Sequence, residues 1–108
     1  MSGAIVEASA RIWLWNNGTN PASWHFVTIT GDAAEAIRAH EAMHRLEFGK
    51  GRGFGSVKVS AAIGETSWNT SVFPSKSEDG FLLPIKKAVR KAQDLAEGDE
   101  VQVSLDLL

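Results

Sequence analysis

Leu83-Pro84-Ile85-Lys86-Lys87-Ala88-Val89-Arg90, running on to Glu97-Gly98-Asp99-Glu100-Val101-Gln102-Val103, decides the fold. It reads as a strand end, a short helix, a Gly-Asp turn and a strand. Pro84 suits the first turn of a helix, where an amide N–H would have no intrahelical partner. Ile85, Ala88, Val89, Ala92 and Leu95 fall on one stripe at helical spacing. Gly98 is placed to stop that helix. Val101, Val103, Leu105 and Leu107 then alternate with polar residues, so the last strand buries one face.

The upstream half follows the same plan. Ala8 to Trp15 reads as a strand with Ile12 and Leu14 on one side and Trp13 and Trp15 on the other. Asn16 to Pro21 is turn-rich, and Trp24 to Thr30 reads as a second strand pairing with the first as a hairpin. Asp32, with Glu35 three residues on, predicts a capped helix from Ala33 to about Leu46. Lys50 to Gly55 breaks it. Val57, Val59, Ala61 and Ile63 alternate along a half-buried strand, and Trp68, Thr70 and Val72 along the next, which Pro74 ends. Ser75 to Gly80 is a polar loop, and Phe81 to Leu83 a short strand.

Strand, loop, strand, helix, glycine break and strand therefore occur twice. Phe26-Val27-Thr28-Ile29 with its helix and Gly55-Ser56-Val57-Lys58-Val59 mirrors Phe81-Leu82-Leu83-Pro84 with its helix and Gly98-Asp99-Glu100-Val101-Gln102-Val103. The repeat predicts one mainly β domain over residues 1–108. Its core, at about 8–107, is a pseudo-twofold β-barrel with two helices, each covering an open end.

Composition sets the outer bounds. The 108 residues are 44% hydrophobic and 22% charged, ordinary for one folded domain. The absence of cysteine excludes a disulfide framework, a thiolate metal site and a cysteine nucleophile. Met1 to Ala10 has neither a basic leader nor a long apolar run, which predicts no signal peptide. No segment approaches the roughly 20 apolar residues a membrane span needs. These features suit a cytoplasmic protein without a membrane partner. A formal net charge of −2 weighs against a domain built mainly to hold nucleic acid.

Two resemblances extend this reading. Leu83-Pro84-Ile85-Lys86, Arg90 and Gly98-Asp99-Glu100-Val101 resemble the swapped-hairpin proteins related to AbrB, MazE and MraZ, although Ile85 here follows the proline. Longer motifs are similar to the bacterial domain-of-unknown-function family nineteen-oh-five over roughly residues 8 to 107. They are Trp24-His25-Phe26-Val27, Gly53-Phe54-Gly55-Ser56-Val57-Lys58-Val59, Ile63 to Pro74, and Leu83 to Arg90. The second resemblance implies a double-split β-barrel capped by α-helices, in agreement with the repeat. It implies no established activity and no accepted catalytic residues.

Four constellations could carry chemistry. His40-Glu41-Ala42-Met43-His44 matches H-E-x-x-H, whose paired histidines hold zinc on one helix face while the glutamate serves as base. A zinc hydrolase needs a third ligand, and Glu47 and Lys50 stand where the metzincin extension has glycine and histidine. Zinc hydrolysis is thus a remote alternative, and no metal or other cofactor is expected.

Lys86, Lys87, Arg90 and Lys91 form a basic face suited to phosphate, the basis of an AbrB-like nucleic-acid-binding alternative. Charge runs on helices are more often solvated faces. Gly49 to Gly55 carries G-x-G spacings but follows a helix and enters a strand, the reverse of the dinucleotide context, so it reads as a linker. Trp68, Asn69, Thr70 and Ser71 lie beside the Pro84 segment in this arrangement and could line a small-ligand pocket. Ser71 has no evident histidine–acid pair, so serine hydrolysis has no support. The expectation is a non-catalytic module binding a small ligand or a protein. Trp68, Ser71, Lys86 and Arg90 are the candidate contacts.

Overall fold

The first strand sets the architecture by changing partners partway along. β1 (Ile5–Arg11) pairs antiparallel with β7 (Glu100–Leu107), and one residue later β2 (Trp13–Trp15) pairs antiparallel with β3 (Trp24–Ile29). The switch falls at Ile12, which is buried. Its N–H donates to the Asp99 carbonyl at 2.9 Å, and its carbonyl accepts from the Gly98 N–H at 2.8 Å. The Gly-Asp turn therefore satisfies the backbone where the strand leaves one sheet for the other. The continuous strand expected from Ala8 to Trp15 is in this way two strands. Alternation runs unbroken through the bend, with Val6 and Ile12 buried and Trp15 exposed. A period-two pattern records which face is buried and not which neighbour is paired.

The computed structural model describes residues 5–15, 24–48, 55–75 and 79–108. The loop readings at 16–21 and 49–54, and half of the polar loop after Pro74, lie outside them. The remaining elements are α1 (Gly31–Phe48), β4 (Val57–Ile63), β5 (Thr66–Pro74), β6 (Phe81–Pro84) and α2 (Lys87–Gln93). The strand order is β1-β7-β4-β5-β6-β3-β2, antiparallel throughout. Its two ends are halves of one chain segment, so the sheet curls back toward its own start. β5 is shared, pairing with β4 along most of its length and with β6 at Phe73 and Pro74. Exchanging β1/β2 with β5, β3 with β6, α1 with α2 and β4 with β7 returns the same strand order, which is the pseudo-twofold relation of the internal repeat. The fold is a mainly β, double-split barrel with two helices.

Val27, Ile29, Val59, Ala61, Val72, Leu83, Val103 and Leu105 fill the interior with Ile12 and Ile37, each at 1% exposure or less. Close packing of branched side chains from alternate positions is what binary patterning demands of a small barrel.

Both helices depart from their expected limits. α1 begins two residues early, at Gly31 (φ 66°), so Asp32 lies within the first turn. Glu35 accepts from Arg38 instead of closing a capping box, and Arg38 also donates to Asp79 at 2.9 Å. α2 is shorter than expected. Pro84 remains in β6 opposite Phe26, Ile85 donates its N–H to the His25 carbonyl at 2.8 Å, and the helix starts only at Lys87. Asp94, in the left-handed region at φ 55°, ends it four residues before Gly98. Of the expected stripe, Ile85 and Val89 are buried and Leu95 packs on the core, while Ala88 and Ala92 face outward.

Candidate functional site

The two outer faces of the barrel differ. On the sheet of β1, β7 and β4 most outward pairs are polar, the main apolar exception being Ile5, 61% exposed opposite Asp106. Glu7 faces Ser104, Ser9 bonds Gln102, Arg11 lies 3.8 Å from Glu100, and Ser60 faces Asp106. On the sheet of β2, β3, β6 and the end of β5, the corresponding positions are aromatic or apolar except for Thr28. Trp15 lies opposite Trp24, Trp13 opposite Phe26 opposite Pro84, and Thr28 opposite Leu82 opposite Phe73.

Trp24 is 55% exposed, Trp15 45% and Phe73 43%, so three exposed aromatics gather on this sheet, whereas the other sheet exposes the single aliphatic Ile5. Trp13 and Phe26 rings lie 5.3 Å apart at 36°, and Trp24 and Phe26 lie 6.4 Å apart at 16°. Trp24 and Phe26 thus run close to parallel, while Trp13 is tilted against Phe26. The Trp13 indole N–H donates to Thr28 Oγ1 at 2.9 Å, which fixes that ring on the sheet.

Trp13, Trp15, Trp24, Phe26, Phe73, Leu82 and Pro84 border a shallow cleft of about 460 Å³. A second cleft, of about 600 Å³, shares Trp24, Phe73 and Pro84 and adds Lys58, Asn69, Thr70 and Ser71. Strand register explains the polar end. Lys58 on β4 lies directly opposite Ser71 on β5, and Asn69, Ser71 and Phe73 alternate along one face of β5. A smaller cavity of about 170 Å³, lined by His40, Glu41, His44, Ser56, Val57 and Lys58, adjoins through Lys58 and Leu108.

The candidate residues read from the sequence are dispersed. Ser71 lines the second cleft with Pro84. Trp68, three residues earlier, points the opposite way and is buried at 8% exposure, opposite Ala61. Lys86 is exposed just before α2, while Arg90 is half-buried and donates from Nε to the Ile85 carbonyl at 3.2 Å. Lys87 and Lys91 are exposed. His40 and His44 share one helix face with ring centroids 6.4 Å apart, and His40 Nε2 lies 3.0 Å from the Leu108 backbone oxygen. Among the described residues no three histidine, aspartate, glutamate or cysteine side chains are grouped to hold a metal ion.

Trp13, Trp15, Trp24, Phe26, Phe73 and Lys58 carry the site without having been singled out in the sequence. For the five aromatics the available signal was an apolar residue at outward as well as inward strand positions.

One titratable side chain has a shifted proton affinity. Burial, aided by the Arg90 guanidinium and opposed by Glu97, holds the His25 imidazole below its ordinary value. His25 Nδ1 is buried and has no hydrogen-bond partner among the described residues.

No described helix is long and apolar enough to cross a membrane. No curated protein matches the chain at a significant level. A family profile does. Over residues 9–105 the sequence matches the family described as Domain of unknown function (DUF1905), and the chain belongs to that family.

Proposed function

We propose that the chain is a non-catalytic binding module whose outer aromatic platform takes a small ligand with a flat, apolar body. The observation that carries this reading is the contrast between the two outer faces. The sheet of β1, β7 and β4 displays mainly polar pairs and no aromatic residue, so the barrel does not require aromatics outside. Exposing Trp15, Trp24 and Phe73 together leaves apolar area in water, which is unfavourable unless something covers it. The near-parallel Trp24 and Phe26 rings favour a flat partner over a compact cation, for which crossed rings form the better enclosure. Clefts of about 460 and 600 Å³ with a few polar groups at one end match the dimensions and lining of small-molecule sites. The resemblance of the motifs to a bacterial family, and a cysteine-free composition, accord with a bacterial cytoplasmic setting.

Phenylnaphthylamine, an uncharged flat aromatic whose emission rises out of water, is a suitable probe. Saturable binding to the intact chain is expected. Trp24→Ala and Phe73→Ala should each weaken it about tenfold, since one aromatic contact is worth about 1–1.5 kcal/mol. Lys91→Gln, on the exposed side of α2, should leave it unchanged. No saturable binding, or binding indifferent to both aromatic truncations, would overturn the reading.

A further inference from the structure

We infer that the ligand of this platform carries an anionic group, which Lys58 receives at the polar end of the cleft. The inference rests on the binding reading above and specifies the ligand's chemical class. Lys58 is the one charged side chain among the described residues lining the second cleft, whose other walls are Trp24, Val59, Phe73, Pro84 and Leu108 with Asn69, Thr70 and Ser71. It is exposed and has no ion pair among the described residues, where the three bridges present join Arg11 to Glu100 and Arg38 to Glu35 and Asp79.

Its position is held by register on both sides. Ser71 lies directly across on β5, and the Lys58 carbonyl accepts the Leu108 N–H at 3.0 Å. The Ser71 hydroxyl and Asn69 amide beside it are hydrogen-bond donors. An ammonium flanked by a hydroxyl and an amide N–H is a donor set for carboxylate, sulfonate or phosphate oxygens. The hydroxyl and amide donors therefore place the anion on the Ser71 and Asn69 side of Lys58. An amphiphilic anion would lay its flat body on Trp24 and Phe73 and its charge at Lys58.

The test compares two probes that share a body. Phenylnaphthylamine is neutral, and anilinonaphthalenesulfonate is its close relative with one sulfonate. Both are titrated into the intact chain and into Lys58→Gln and Lys58→Glu, and the ratio of their dissociation constants is followed, which cancels their intrinsic difference in hydrophobicity. The preference for the sulfonate should fall about fivefold in Lys58→Gln and further in Lys58→Glu, with phenylnaphthylamine affinity held within about twofold. Added salt should erode the preference in the native chain and have little effect in Lys58→Gln. A ratio unchanged by both substitutions while phenylnaphthylamine still binds would overturn the anionic assignment and leave the platform standing. Failure of phenylnaphthylamine to bind would instead remove the platform reading, and the anionic assignment with it.

Discussion

His25 shows how a single side chain records its surroundings. Burial is the larger cause of its lowered proton affinity, the Arg90 guanidinium adds to it, and Glu97 works against both. The folded chain thus holds a neutral imidazole that the unfolded chain protonates more readily. Stability is complete above the ordinary imidazole range, near 6.5, and is lost as pH falls through it toward the lower folded value. Thermal melts between pH 7.5 and about 5 should show a falling midpoint, and His25→Gln should flatten that fall. An unchanged slope in His25→Gln would assign the effect elsewhere. Gly80 makes a second residue-scale prediction. A Cβ there would collide with the Ile29 backbone oxygen, which cannot swing aside as a side chain can. Gly80→Ala should cost about 1–3 kcal/mol in urea unfolding with the slope unchanged. Neither feature was legible in the sequence. The His25 environment includes Arg90 and Glu97 from far along the chain, and Gly80 reads as an ordinary loop glycine. Ser71 and Trp68 read together as neighbours of the Pro84 segment, although Asn69, Ser71 and Phe73 alternate against Trp68 and Val72. That same alternation sends Trp68 inward.

Among the elements, strands were read more accurately than helix ends, for a physical reason. A strand's limits follow from which residues alternate, and β4, β5 and β7 bury the positions the pattern named. Helix limits follow from where backbone amides find partners. Pro84 keeps extended geometry because β6 pairs it with Phe26, and Ile85 spends its N–H on His25. Tertiary pairing outweighs the fitness of proline for a first helical turn. α1 also divides along its length. Ala34 and Ile37 are buried, whereas Met43 is 60% and Leu46 81% exposed. Ile37→Ala should destabilise the domain by about 2–4 kcal/mol, and Leu46→Ala by no more than about 0.5 kcal/mol, in chemical denaturation. Equal effects would mean that the distal half of α1 is also packed on the barrel.

At the scale of the whole molecule, the repeat read from glycine breaks and alternation is the strand order itself. Exchanging the halves maps β1-β7-β4-β5-β6-β3-β2 onto the same sequence of neighbours. The axis passes through each face separately, so the halves can be alike while the two outer faces differ. One face carries Glu7, Ser9, Arg11 and Asp106, and the other carries Trp13, Trp15, Trp24 and Phe73. That difference was only half legible. The aromatics were visible at their strand positions, but the pairing that gathers four separate strands into one platform is not a local property. The most direct measurement uses the four tryptophans as reporters of face. Indole N–H resonances are followed by two-dimensional proton–nitrogen spectra while phenylnaphthylamine is added. Trp15 and Trp24, exposed on the platform, should shift saturably and together. Trp13, tied to Thr28, should shift less, and Trp68, buried on the inner face of β5, should stay fixed. Saturable shifts led by Trp68, or no shift at Trp15 and Trp24, would contradict a binding site on the outer aromatic face.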